Sequence, residues 1–536
     1  MYKIYISGVV AILLLSIISC KKDIGNYTYH DVNQIKIAKI DTVAAYLGGV
    51  LKINPVVSFT QDTSGDESRY SYEWSYYTSA SGANGHTVLD TTKNLNKAFS
   101  LPPATYSCYY KVTDKHTGIM SYVTFGLVIQ ATPYREGWML MTSVNGSARL
   151  DMLYKQSDGT FAVVNNLLDS VHSDLHLAGK PKLVYCYQAY PQTVKTPVYG
   201  IPFAYEIYVG TDQSTERVNP ETYGWDPSYN AKKEIFGSSV PSDLYLLAVK
   251  KASSVTNNAI SISNNMDVRY FDYTGQIRFG EIMNFDTAAG AKKRYAVAPI
   301  TGFAEGTGTN GFLFYDTDNR RFVEGKLGNT ASSILVPLKD VTTVANRLFS
   351  YTNTGMDMIS MAYGAVATPA AKYINIILKN PTSPTYYYAV IDGLNYATTQ
   401  KVYKDITSIA TDIDKASCFT ASIVNGAFYY AAGSKVYQIT WSGGSAGVSG
   451  TPAVKLVVDK SSTGEVITNL MVHQYANAPK YTDKYLMVCS YDPAKPEGVN
   501  GKIECFTEPA LITGNLTLAT TYSGFGRVVS MDYRER

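Results

Sequence analysis

Apolar positions along this chain come in short runs, some alternating with polar residues and some continuous, and each run is closed by Gly, Asn, Asp or Ser. Helical spacing sustained over several turns is hard to find, so the pattern predicts a nearly all-β protein. At 536 residues the chain is too long for one core and should divide into at least two domains. Residues 20–36 are polar and carry no core pattern. They read as a tether, which fully extended would reach roughly 55 Å at ~3.3 Å per residue. From 37 to 132 the strand signals "LKINPVVSF", "YSYEWSYYT", "KAFSLPPATYSCYYKVTD" and "IMSYVTFGLVIQA" come at the spacing of a β-sandwich. Trp74 lies in the second, where a large ring can plug the space between two sheets, and Asp114 to Gly118 form a turn between two alternating strands.

Pro133 ends that module, and residues 133–536 repeat a theme of strand, tight turn, strand: "RLDMLYKQSDGTFAVV", "VRYFDYTGQIRFGEI", "FLFYDTDNRRFVEG", "AFYYAAGSKVYQITW". In the last of these Gly433-Ser434 turns the chain, after which Tyr437, Ile439 and Trp441 share one face and Val436, Gln438 and Thr440 the other. Such hairpins cannot bury both faces alone, but stacked radially they can, which predicts a large β-propeller-like domain of six to eight blades, seven favoured. A tandem of sandwiches or a β-helix would give similar hairpins. The closing segment "GFGRVVSMDYRER" ends on an alternating strand, as the last strand of a ring would.

The N-terminus follows a different rule. Lys3 precedes a thirteen-residue apolar run, Ile6 to Ile18, and Ser19 stands before Cys20. This is an export signal over residues 1–19, shorter than the ~20 apolar residues of a membrane-spanning helix. Removing it takes one lysine from 47 basic residues and nothing from 44 acidic ones, leaving a net charge of +2. That balance argues against nucleic acid as a partner. Cys108, Cys186, Cys418, Cys489 and Cys505 remain, scattered and without a C-x-x-C pair, so buried free thiols are expected.

Most motifs with catalytic lettering lose it to context. Gly443-Gly444-Ser445-Ala446-Gly447 matches G-x-S-x-G, but Gly450 and Pro452 break any helix after it, so a loop is expected. Gly306-x-Gly308-x-x-Gly311 opens a strand and not the helix that a dinucleotide site needs. His172, Asp174 and His176 read as a surface turn, lacking a third ligand nearby, and Asp316-Thr317-Asp318-Asn319 as a hairpin turn, lacking the glycine and late acid of a calcium loop. No metal and no catalytic residue is assigned. Candidate ligand-binding residues are aromatic. Tyr223, Trp225 and Tyr229 stand among Gly, Pro, Asn and Asp in "NPETYGWDPSYN", where exposed rings would stack on sugars or extended peptides; the alternative is that they pack onto the propeller rim. Tyr387, in "PTYYYAV", must point opposite to Tyr386 and Tyr388, and is the fourth candidate.

The order Ile17-Ile18-Ser19-Cys20 resembles a bacterial lipobox, in which the thiol is acylated and the preceding peptide removed. The following "CKKDIGNYTYHDVNQI" resembles the mature N-terminus of PKD-like family lipoproteins of Bacteroidota, with its C-x-x-D-x-G-N-Y-x-Y stretch, and the hairpin after Asp114 is similar to that of their immunoglobulin-like modules. The chain departs from the narrower pattern in lacking W-D-F-G-D-G, Trp74 being followed by "SYYT". The resemblance implies a lipid on Cys20 and no other cofactor, and anchorage in the outer membrane with exposure at the cell surface. It implies a PKD-like spacer sandwich, and a place beside a SusC-like barrel, a SusD-like lipoprotein and other surface lipoproteins in TonB-dependent uptake of oligopeptides or oligosaccharides. It implies no catalytic residue. Two other readings stay open, a propeller-type glycan-degrading hydrolase or lyase and a structural or adhesive surface protein.

Overall fold

The computed structural model describes residues 31–535 apart from 47–49, 78–84, 99–100, 157, 195, 199, 238–239, 252–256, 287–291, 305–309, 328–333, 367–370, 394–398, 446 and 473–484. Cys20, most of the tether, Gly306 and Gly308 lie outside the described residues. The chain divides into two compact units, meeting in sequence at Ala131 and Thr132.

The first unit is a β-sandwich. One sheet has five strands, in the order Val43–Tyr46, Met120–Gln130, Ala104–Asp114, Tyr70–Tyr77, His86–Asp90; the first pair is parallel and the others antiparallel. Two short ribbons complete it, Ile35–Ile37 with Val57–Phe59 and Val50–Ile53 with Leu95–Ala98. Strand alternation sends Tyr70, Tyr72, Trp74 and Tyr76 inward, and all four belong to the core. Trp74 lies 4.2 Å from the Tyr110 ring and 5.9 Å from Phe125, and its Nε1–H donates to the Thr92 carbonyl at 2.8 Å. The plug is thus apolar in body and satisfied at its polar end. Asp114, which closes the long strand, is buried; Arg69 donates to it through Nε (3.1 Å) and Nη2 (2.6 Å), and the His116 N–H at 2.9 Å. The Arg69 guanidinium holds that carboxyl well below the usual range.

The second unit is a seven-bladed propeller of antiparallel sheets. Blade 1 joins Arg527–Arg534 to Gly137–Val144, Ser147–Lys155 and Phe161–Val164. Blade 2 holds Pro181–Gln188, Tyr205–Thr211 and Thr215–Arg217, and blade 3 Leu246–Lys251, Asn258–Ser263 and Val268–Asp272. Blade 4 holds Gly302–Ala304, Asn310–Asp316, Arg321–Leu327 and Val336–Pro337; blade 5 Asp357–Val366, Ala371–Lys379, Tyr386–Asp392 and Gln400–Asp405. Blade 6 holds Cys418–Ala421, Phe428–Ala432, Lys435–Ser442 and Thr451–Asp459; blade 7 Val466–Val472, Tyr485–Tyr491, Gly501–Thr507 and Thr517–Phe525. The first strand of blade 1, taken from the end of the unit, neighbours the first strands of blades 2 and 7 and so closes the ring.

Radial stacking explains why middle strands such as Phe428–Ala432 are buried at every position. Phe428 and Tyr430 face a cluster shared with Tyr388 and Val390 of blade 5, whereas Tyr429 and Ala431 face one shared with Leu486 and Val488 of blade 7. Each of the other five interfaces has its own such cluster. The two faces of the Lys435–Ser442 strand separate as its alternation predicts, Tyr437, Ile439 and Trp441 toward blade 5 and Val436 toward blade 7. Gln438 shares the second face although polar; it is buried and donates to the Tyr429 hydroxyl at 3.4 Å, which donates to Glu508 at 2.9 Å.

Candidate functional site

The first strands surround the axis with one edge unpaired in their own blade, and unpaired backbone groups need partners. Side chains of neighbouring blades supply several. Ser530 accepts the Val184 N–H at 3.1 Å, Asp532 the Cys186 N–H at 2.7 Å, the Tyr185 hydroxyl the Lys251 N–H at 2.8 Å, and Thr420 the Val472 N–H at 3.1 Å. Burial pushes the Asp532 carboxyl up to about 7. It therefore stays largely protonated in mildly acidic medium.

Between the first strands of blades 5 and 6 lies a cleft of about 420 Å³. Ile300, Ile359, Met361, Ala362 and Phe419 supply apolar wall, and Ser360, Ser417 and Cys418 polar points. Among the described residues lining it there is no carboxylate, histidine, lysine or arginine. Cys418 is half-buried and its thiol is pushed up to about 12 by burial, so it stays protonated and is a poor nucleophile. The cleft can accept a small apolar or amphipathic group by burial and hydroxyl hydrogen bonding. Its wall comes from three distant stretches without a distinguishing motif, and no signal in the sequence marks it.

The four aromatic candidates do not form one site. Tyr223 is corrected outright: its ring is fully buried among Met139, Met152 and Ile207 between blades 1 and 2. Its hydroxyl donates to the Tyr134 carbonyl at 2.5 Å and accepts from Arg534, whose guanidinium carbon sits 5.0 Å from the ring centre. No face is left for a ligand. Trp225 is half-buried against the same cluster, its Nε1–H donating to Glu216 at 3.0 Å. Tyr229 is half-buried edge-on to Phe203 at 4.9 Å, and its carbonyl accepts from Arg217 at 2.9 Å. Tyr387 lies in blade 5, half-buried, stacked on Tyr403 at 5.0 Å; it faces the blade 4 side, opposite to the buried Tyr386 and Tyr388.

Other motifs fall where their context placed them. Ser445 is an exposed residue of a tight turn bridged to Val448, between two strands. Asp316 is buried at a hairpin, accepting from the N–H groups of Asp318 (3.1 Å) and Asn319 (3.0 Å) and from Arg321 Nε (2.8 Å). His172 follows a one-turn helix, Leu167–Ser170, and no group of three metal-ligating side chains occurs among the described residues. Cys108, Cys186, Cys418, Cys489 and Cys505 are all free thiols.

Two solved structures illustrate what the chain is similar to. A quinoprotein alcohol dehydrogenase-like protein from Bacteroides thetaiotaomicron aligns at 11% identity with a TM-score of 0.41, covering 92% of this chain and 96% of that one. The Dos1 propeller aligns at 9% identity with a TM-score of 0.34, covering 71% of this chain and 82% of that one. No curated protein matches the sequence. A family model does match in the N-terminal part: residues 20–181, the sandwich together with the three strands of blade 1 that follow it, match the PKD-like family.

Proposed function

We propose that the protein is a surface-exposed outer-membrane lipoprotein, held by lipid on Cys20, that acts as a non-catalytic ligand-binding or accessory subunit of a SusC/SusD-type uptake complex for oligopeptides or oligosaccharides. The observation that carries this reading is the coincidence of two boundaries. The PKD-like match starts at residue 20, and Cys20 is the residue at which the apolar export signal gives way to polar sequence. One acyl chain binds a bilayer only reversibly, so a lasting anchor on this cysteine takes more than one chain. A protein so tethered near a transporter mouth gains from effective concentration, and modest affinity then suffices. A ligand-binding role is supported by the cleft between blades 5 and 6, whose described lining offers burial and hydroxyls.

The test is purification of the tagged full chain from detergent-solubilised outer membrane, followed by mass spectrometry of the N-terminal peptide and of co-purifying proteins. The expected result is an acylated Cys20 at the mature N-terminus, a barrel and its lid lipoprotein in the eluate, and loss of membrane attachment in Cys20→Ala. An unmodified thiol at Cys20, or recovery of the protein alone, overturns the reading.

A further inference from the structure

The outer face of the five-stranded sandwich sheet is not built like a passive spacer. Alternation directs Glu73, Ser75 and Tyr77 of one strand, Tyr109 and Lys111 of the next, and Tyr122 of the third to this face. The register sets Ser75 opposite Tyr109 and Lys111 opposite Tyr122, so Tyr77, Tyr109 and Tyr122 run diagonally across three strands. Their ring centres are 5.4 Å (Tyr77–Tyr109) and 6.4 Å (Tyr109–Tyr122) apart. The outer two are open to solvent, Tyr77 at 54% and Tyr122 at 62% exposure, while Tyr109 forms the floor.

The polar groups between the rings are fixed and mutually neutral. Glu73 pairs with Lys111 at 2.6 Å and accepts from the Tyr109 hydroxyl and the Ser75 hydroxyl, each at 2.9 Å, with His86 Nε2 at 3.6 Å. Ser71, Ser107, Thr113 and Thr124 place further hydroxyls on the same side. This chemistry discriminates among occupants. An anionic ligand finds one lysine, already neutralised. An extended peptide adding as a strand needs a sheet edge and not a face. Val88 and Met120, 48% and 64% exposed, lie toward the margins of the same face and would offer a protein partner apolar contact, but such a partner would also strip water from the serine and threonine hydroxyls without replacing their hydrogen bonds. A neutral, hydroxyl-rich chain suits both components, its C–H faces on the rings and its hydroxyls on the Glu73–Lys111 pair and the neighbouring side chains.

We propose that this face binds neutral carbohydrate, with Tyr77 and Tyr122 stacking on successive sugar rings over Tyr109 and the Glu73–Lys111 pair orienting their hydroxyls. The site is built from residues of the first unit alone and requires no transporter partner. Its test is native affinity electrophoresis of the full chain in non-ionic detergent, in gels containing a soluble β-glucan, xylan, mannan, an acidic polygalacturonate or gelatin. At least one neutral polysaccharide should retard the protein. Tyr77→Ala and Tyr122→Ala should each weaken that retardation about tenfold or more, Tyr77→Phe should keep most of it, and Leu511→Ala, at an exposed position of the propeller, should leave it unchanged. Unaltered thermal unfolding of the two exposed-site variants separates lost binding from lost folding. Retardation by none of the neutral polymers, retardation by polygalacturonate or gelatin only, retardation of Tyr77→Ala and Tyr122→Ala equal to that of the wild type, or a concentration-dependent dimer that the variants abolish would each overturn the proposal.

Discussion

At the residue scale, the clearest physical consequence lies in a carboxyl that gives up water without gaining a full ion pair. Glu206, in the second strand of blade 2, is buried and accepts the Phe203 N–H at 2.9 Å. Burial pushes its pKa up from 4.5 to about 8; Arg217 opposes the rise and Glu234 adds to it. Between those two values the native state keeps a proton that the unfolded chain has released, so this residue makes stability fall as pH rises from about 4.5 to about 8 and leaves it flat above. Asp532, raised from 3.8 to about 7 by burial, acts with the same sign. Each pKa unit corresponds to about 1.4 kcal/mol. Glu206→Gln retains an acceptor for Phe203 and cannot ionise, so urea unfolding at pH 5 and pH 8 should show a smaller loss of stability in the variant than in the wild type. Equal losses would show that Glu206 does not titrate in this way. Glu465 works oppositely. Burial raises it, but Lys502, Lys460 and Ser490 outweigh that and hold it at about 2, so its contribution is present above about 4.5 and lost as pH falls toward 2.

At the scale of elements, the loop from Asn219 to Asn230 is a fastener. It carries Tyr223 with φ at +58°, a conformation most side chains avoid. The Tyr223 ring fills the space between blades 1 and 2, and Arg534, at the end of the ring-closing strand, donates to the Tyr134 carbonyl at 2.6 Å, to the Tyr223 hydroxyl and to the Pro220 carbonyl. Arg217 holds the other half of the loop through the Tyr229 carbonyl at 2.9 Å and pairs with the buried Glu234 at 3.1 Å. Tyr223→Phe keeps the packing but strands the buried guanidinium one acceptor short, and should cost about 1–3 kcal/mol of propeller stability in chemical unfolding. A midpoint equal to the wild type would mean that the hydroxyl does not tie the loop to the closing strand. An aromatic in a stretch of Gly, Pro, Asn and Asp reads as exposed because composition reports local polarity. The residues that bury and hold it, Met139 and Met152 in blade 1 and Arg534 at the far end of the unit, are remote in the chain and leave no trace nearby.

At the scale of the whole molecule, each unit has its own core. The cluster around Trp74 draws only on residues before Ala131, and the seven clusters between blades only on residues after Thr132. Residues 132–536 produced alone should therefore be soluble and unfold cooperatively in urea, with native near-ultraviolet circular dichroism; an aggregated or molten product would show that the propeller needs the sandwich. Much of this architecture was legible in the linear pattern. Period-two alternation told Tyr387 from its neighbours, predicted the turn at Asp114 and the Trp74 plug, and favoured radial stacking, because a residue's face in a strand follows from its parity alone. The cleft between blades 5 and 6 and the diagonal of tyrosines on the sandwich were not legible. Chain order thus settled the strand class, the hairpins and the two inner faces of each blade, all consequences of local alternation and turn chemistry. Three-dimensional packing settled the count of seven blades, the pairing of Arg527–Arg534 with Gly137–Val144, and which aromatic rings meet water. Those depend on contacts between segments remote in the chain, and a local pattern carries no information about remote partners.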